Sequence, residues 1–249
     1  MKQVFYWSLV AAFAGLLFGF DTVVISGADK KLQSLWGSSD AFHGSVVMAM
    51  ALWGTVAGAL LGAFPTQRLG RKKTLLWVGV FYSVSAIGSA LANDPFSFAI
   101  FRFIGGLGVG VSTIAAPAYI SEIAPAKDRG RLVGLYQFSL VFGILLAFVS
   151  NYLLSGIGEN AWRWMMGVEA FPAIFYTLLC FRIPRSPRWL ISKGLLDEAK
   201  TIFMQIDPEG SFDQLVSEIN ENSNKTSSEE SIFDKKYRFP LKLAFLVAF

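Results

Sequence analysis

Three ionisable side chains stand inside long apolar runs of this 249-residue sequence: Asp21, Arg102 and Glu169. A charge within a hydrocarbon span is costly, so it faces a protein interior or an aqueous path and has a partner. Asp21 lies about four residues from the outer end of the first run, and Arg102 and Glu169 about six residues into the fourth and sixth. At ~1.5 Å rise per residue, all three sit roughly 6–10 Å below one interface. Agreement in depth predicts one shared site. One arginine between two carboxylates leaves at most one surplus negative charge, which a proton can remove, because burial disfavours the ionised carboxylate while a cation favours it. The chemistry is that of a switch: ionised Asp21 holds Arg102, and protonated Asp21 releases it so that the helices reorient. The bland alternative is a static Asp21–Arg102–Glu169 bridge that fixes the helices.

A second set of residues suits a sugar-like ligand, which needs hydrogen-bonding groups on an apolar, aromatic wall. Gln137 is a polar side chain among apolar residues of the fifth run, and Phe18 stands one helical turn before Asp21. Thr22, Ser112, Thr113, Ser139 and Asn151 are lesser candidates. An interhelical hydrogen bond is the structural alternative for Gln137.

These side chains are positioned by membrane helices. A bilayer core needs about 20 apolar residues per helix, and six runs qualify, roughly 4–25, 42–65, 73–93, 96–118, 132–154 and 163–182. Small residues four apart recur at Gly15/Gly19, Gly54/Gly58/Gly62, Gly106/Gly110 and Gly130/Gly134. This spacing lets backbones approach closely, for tight packing or for helices that slide. Basic residues cluster after the second run (Arg68, Arg71, Lys72, Lys73), the fourth (Lys127, Arg129, Arg131) and the sixth (Arg182, Arg185, Arg188, Lys193). Such loops face the cytoplasm, and so does the N-terminus. The first run is too long for a cleavable signal and reads as a retained span.

The expected division is a six-helix transmembrane bundle over 1–182, a cytoplasmic helical linker domain over 183–238, and the start of a seventh span over 239–249. Within the linker domain, Leu195 to Ile206 has helical spacing. Ser211 to Asn222 forms a second short helix, and Glu221 to Ser231 a solvated linker. Too short to cross a bilayer, the last run makes the chain an N-terminal half or a truncated product.

Composition agrees. Hydrophobic residues make up 53% and charged residues 16%, against about 25% charged in soluble domains. The net charge of +4 sets membrane orientation and does not call for nucleic acid. The single cysteine, Cys180, excludes a disulfide within the chain, and the single histidine, His43, is expected to be solvated or packed. No cofactor, metal site, activated nucleophile or phosphate loop is expected, so the chain does not read as an enzyme. Asn224-Lys-Thr226 matches a glycosylation acceptor but lies on the cytoplasmic side.

Several motifs together carry a resemblance. They are Phe18-Gly-Phe-Asp-Thr with Ile25-Ser-Gly27, Arg68-Leu-Gly-Arg-Lys72, Arg102-Phe-Ile-Gly-Gly-Leu-Gly-Val-Gly110, and the stretch from Pro117 through Ser121-Glu-Ile to Arg129-Gly-Arg131. Gln137, Trp162-Arg-Trp164, Glu169 with Pro172-Ala173, and Pro184-Arg-Ser-Pro-Arg-Trp-Leu190 complete them. From Phe13 to Gly194 the sequence resembles the sugar porter family of the major facilitator superfamily, and its bacterial sugar–proton symporters in particular. The resemblance implies two six-helix halves of inverted three-helix repeats with sugar bound between them. It implies that Phe18 and Gln137 line the sugar site and that Asp21, Arg102 and Glu169 couple protons. It also implies that Arg71, Glu122, Arg129 and Arg188 form a cytoplasmic charge latch. Three positions depart from the family pattern: Gln67 replaces an acidic or asparagine residue, Arg185 replaces a glutamate, and Ile144 stands where a xylose-carrying member has a second sugar-binding glutamine.

The implied activity is proton-coupled import of a monosaccharide, hexose or pentose, across a bacterial inner membrane or plasma membrane. The partners are the lipid bilayer and a missing C-terminal six-helix half. A facilitative carrier without proton coupling and a non-transporting sugar sensor or half-transporter are the alternatives. The 249 residues alone are expected not to transport, because half of a site cannot enclose a ligand.

Overall fold

A run of some twenty apolar residues has nowhere to place its backbone polar groups except in its own helix, and the chain answers with helices throughout. The computed structural model describes residues 2–226. The elements are α1 (Lys2–Gly27), α2 (Asp29–Trp36), α3 (Asp40–Leu61), α4 (Ala63–Arg68), α5 (Arg71–Leu91), α6 (Pro95–Ile123), α7 (Arg129–Leu154) and α8 (Ala161–Arg182). Three shorter helices follow: α9 (Pro187–Ser192), α10 (Leu196–Ile206) and α11 (Phe212–Thr226). Six of these, α1, α3, α5, α6, α7 and α8, are long and apolar enough to cross a membrane.

Local sequence sets several of the ends. Asp94 caps α6, its Oδ1 accepting the Phe96 and Ser97 amides at 3.0 and 2.9 Å, with Pro95 in the first turn where no amide is needed. Gly37 ends α2 in the left-handed conformation. Ser186 opens α9 by accepting from the Trp189 amide at 3.2 Å.

Glycine decides how closely the spans pack. α1 runs along α7 in parallel, Gly15 against the Tyr136 carbonyl, Gly19 against that of Leu140, and Gly27 against Asn151. α3 meets α6 through Gly54 and Gly58 on one side and Gly106 and Gly110 on the other. Gly130 and Gly134 differ from the sequence expectation: among the described residues no neighbouring helix lies within 4 Å of a side chain placed there, so this pair brings none of their backbones together. Above and below the centre of α1 lie two apolar clusters. One gathers Leu17, Leu75, Tyr119 and Ile120, the other Phe20, Leu32, Phe98 and Met166.

The basic loops share one end of the bundle. Lys72 Nζ donates to the Phe181 carbonyl at 3.0 Å, Tyr119 Oη to that of Pro184 at 3.0 Å, and Trp189 Nε1 to that of Gln67 at 2.8 Å. Leu190, Ile191, Ala199 and Ile202 form the small core of α9–α11 below them.

Four further details adjust the sequence reading. The second run does not continue as one helix to residue 65 but breaks at Gly62 into α4. α3 widens into a π-helical turn over His43–Met48. His43 is packed, at 4% exposure, between Asp29 at 2.7 Å and Ser38 at 3.3 Å. α11 runs to Thr226, into the stretch from Glu221 expected as a linker. The start of a seventh span over 239–249 lies outside the described residues.

Candidate functional site

Each member of the charged triad is delivered by a helix with a local irregularity or a stripe of small residues. Asp21 sits in α1 one turn before the helix tightens to a 3₁₀ turn at Ile25–Gly27. Arg102 leads the glycine-rich face of α6. Glu169 lies where α8 is interrupted between its segments Ala161–Gly167 and Ala170–Arg182. Pro172 causes the break, because it has no amide to give the Val168 carbonyl. That carbonyl instead accepts from Phe171 at 3.3 Å.

The three are brought together. Arg102 Nη1 donates to Asp21 Oδ1 at 2.5 Å, and Nη2 to the Asp21 carbonyl at 2.9 Å. All three residues are 1% exposed, and Glu169 has Asp21 and Arg102 as its charged neighbours. Asp21 Oδ2, Arg102 Nε and both Glu169 carboxyl oxygens have no partner. Two carboxylates and one guanidinium carry a net negative charge in a buried site, and one proton on the carboxyl pair removes it. A bound proton also turns one acceptor oxygen into a donor, which suits a pair with three unpartnered oxygens. A cleft of about 360 Å³ between α1, α3 and α6 reaches the pair and is lined by Thr22, Ser26 and Thr55 as well as Asp21 and Arg102.

Of the expected sugar-facing residues, Phe18 is carried by α1 and Gln137 by α7. Gln137 is exposed, with no hydrogen-bond partner among the described residues, so an interhelical bond does not account for it there. Phe18 is half-buried against the α1 core cluster. Most of the lesser candidates are engaged locally. Thr22 and Thr113 bond back to carbonyls of their own helices, Ser112 to Val109, and Asn151 holds the Val24 carbonyl at 3.0 Å.

Of the expected latch, Arg71 and Glu122 are brought together, with Nε at 3.0 Å and Nη2 at 2.8 Å from Oε1. Arg188 is not with them: it pairs with Glu218 of α11 at 3.5 Å. Arg129 Nε is buried without a partner. Arg185, the residue that departs from the family pattern, is rewired to Glu198 at 3.4 Å. Sequence reasoning missed the His43–Asp29 pair. It also missed a buried row of hydroxyls on α5, whose signal was the spacing of Tyr82, Ser85 and Ser89.

Known proteins share this fold. The structure superposes on the proton:xylose symporter XylE bound to 6-bromo-6-deoxy-D-glucose with a TM-score of 0.84 at 34% identity, covering 91% of this chain and 55% of that one. A partially occluded inward-open form of XylE from E. coli gives 0.82 at 34% identity, covering 90% and 60%. The fold is therefore the N-terminal six-helix half of a major facilitator protein. The "Glucose transport protein" of Synechocystis is 40% identical over 83% of this chain and 46% of its own length. The D-xylose-proton symporter of Escherichia coli K12 is 35% identical over 88% and 51%. The chain spans about half the length of these relatives. The "Sugar (and other) transporter" family matches residues 7–249, and the chain belongs to that family of multi-pass membrane proteins.

Proposed function

We propose that this chain is the proton-coupling half of a monosaccharide transporter that works by alternating access. The observation that carries the reading is the buried Asp21–Arg102 pair with Glu169 beside it, four of whose polar atoms have no partner. With Asp21 ionised, Arg102 ties α6 to both the side chain and the main chain of α1. A proton on Asp21 weakens the charged bond at 2.5 Å and leaves the carbonyl bond at 2.9 Å. α6 can then move relative to α1 while Glu169 serves as the counter-ion. The cleft beside Thr22, Ser26 and Thr55 gives water and protons a way to the pair.

Phe18 and the exposed Gln137 line the sugar site in this reading, on a surface that a second six-helix half completes. The Arg71–Glu122 pair and the basic residues Arg129 and Arg188 belong to a latch at the cytoplasmic end, where the N-terminus also lies. Residues 1–182 act as the membrane bundle and 183–238 as a cytoplasmic helical domain, with 239–249 opening a further span. The substrate class is a hexose or pentose, in line with relatives named for glucose, D-xylose and arabinose.

The test is uptake of labelled D-glucose and D-xylose by the full native polypeptide in proteoliposomes with an imposed pH gradient. Uptake that collapses with a protonophore and in Asp21→Asn supports the reading. Gradient-driven uptake that survives in Asp21→Asn refutes it and leaves a facilitative carrier with a structural ion pair. Absence of any binding or uptake moves the assignment to a non-transporting half.

A further inference from the structure

α5 carries hydroxyls that the coupling site leaves unused. Tyr82, Ser85 and Ser89 share one helix face, the three-, four- and seven-residue spacing of neighbours. They are 0%, 1% and 0% exposed, and none of their oxygens has a partner. Ser83 on the same helix behaves otherwise and donates to the Gly79 carbonyl at 2.8 Å, as Thr55 and Thr177 do to carbonyls four residues back. Most helical hydroxyls in this protein take the local bond, Ser8 of α1 being another buried exception. Buried polar groups without a protein partner are held by ordered water, which needs polar neighbours on several sides.

Ser85 faces the triad across Gly105, and Ser89 lies one turn further along the same face of α5. α5 lies antiparallel to α8, Gly79 against Tyr176 and Thr177, and Ala90 against Gly167. That register sets Glu169 level with the turn between Ser85 and Ser89. On the other side is α6, where a side chain at Gly105 would strike Ser85 Oγ and come within 3.5 Å of Asp21 Oδ1. Glycine at 105 thus keeps open the space joining Ser85 to Asp21, about the span that one bridging water covers. Ser89 is two residues before Leu91, the last of α5, and one turn below Asn93 in the loop that follows.

We propose that Ser89 and Ser85, with water held between them, form a proton-conducting file from the outer end of α5 to the Asp21–Glu169 carboxyl pair, separate from the cleft between α1, α3 and α6. The inference rests on the proton-coupled reading above. A hydrated proton enters at the polar loop of Asn93 and Asp94. Each hydroxyl or water accepts a proton on a lone pair and passes its own proton inward. The last transfer forms an O–H bond on Asp21 Oδ2 or a Glu169 carboxyl oxygen, the acceptors without partners. Only O–H bonds are made and broken, and no electrons change hands. The charged groups facing the file are Asp21, Glu169 and Arg102 at its inner end. At its mouth are Asp94 and Arg163, whose guanidinium is held by the Ala90 carbonyl at 2.7 Å and Asn93 Oδ1 at 3.0 Å. Tyr82 closes the file inward. Such a route gives the carboxyls a second contact with outside protons, independent of the cleft.

The test compares two transport modes of the full native polypeptide in proteoliposomes, using labelled D-xylose and D-glucose. Counterflow at equal pH needs no net proton movement, and gradient-driven uptake does. In Ser85→Ala/Ser89→Ala, driven uptake is expected to fall by about tenfold or more with counterflow kept within about twofold. Ser85→Thr/Ser89→Thr, which restores both hydroxyls, recovers driven uptake. A smaller fall, or an equal fall in both modes, overturns the file. Asp21→Asn run alongside separates the two ideas: if that variant is still driven by the gradient, the coupling reading itself fails, whatever the serine variants do.

Discussion

Arg102→Met is the most informative single perturbation of the triad, because Arg102 is its only cation. The replacement leaves Asp21 and Glu169, each 1% exposed, facing one another with no counter-charge. Breaking a buried ion pair from one side costs about 3–5 kcal/mol, and here both carboxyls must take up protons to remain buried. Asp21→Asn is milder. Arg102 keeps the main-chain bond at 2.9 Å and acquires Glu169 as sole counter-ion, so the loss is one charged hydrogen bond at 2.5 Å, about 1.5–3 kcal/mol. Glu169→Gln leaves Asp21 and Arg102 as a balanced pair and is milder still. The double variant Arg102→Met/Asp21→Asn removes the like-charge repulsion, and is therefore more stable than Arg102→Met alone. A coupling of about 1–3 kcal/mol is expected in the double-mutant cycle. Thermal melting of the purified native protein in detergent, followed by helical circular dichroism, measures the order. If Asp21→Asn melts as low as Arg102→Met, or the double variant is additively worse, the triad is not a charge-balanced unit and the switch loses its basis.

Three further outcomes follow from the packing. Gly19→Ala drives a methyl group into the Leu140 carbonyl and is expected to destabilise the α1–α7 seam by about 1–3 kcal/mol. Gly134→Ala meets open space and should raise the melting temperature, because alanine is the better helix former by about 0.8–1.0 kcal/mol. Gly70 has φ 85°, and a side chain there would lie 2.8 Å from the Trp189 ring. Gly70→Ala is therefore expected to undock α9 from the bundle, read as new protease cleavage after Ile183, whereas Trp189→Phe loses only the bond to the Gln67 carbonyl and keeps α9 docked. Finally, the Ser97 hydroxyl, with the Ser97 and Phe96 amides, holds the Asp94 carboxyl below its ordinary value. Its contribution is present above the ordinary carboxylate range and is lost as pH falls through the lowered native value. Melting temperatures of wild type and Asp94→Asn should therefore converge in acid, and a gap that stays constant with pH contradicts the cap assignment.

The sequence alone determined the class of this protein and the inventory of its site. Six apolar runs of bilayer length, basic loops after the even-numbered spans and a charge in each of three spans require a helical membrane bundle, because only a helix satisfies its own backbone in lipid. Depth along a helix is a count of residues, so the meeting of Asp21, Arg102 and Glu169 was legible before any coordinates. Which face a residue presents, and to which neighbour, depends on helix order and rotation, which neighbouring helices decide together. The tertiary structure alone placed Arg188 on Glu218 instead of near Glu122, left Gly130 and Gly134 unpacked, and buried His43 against Asp29. It also buried Ser85 and Ser89 without partners. A serine in a membrane helix is unremarkable in sequence because its hydroxyl can bond the preceding turn. Only the packed bundle shows that these two do not, and that Ser85 faces Asp21 across Gly105.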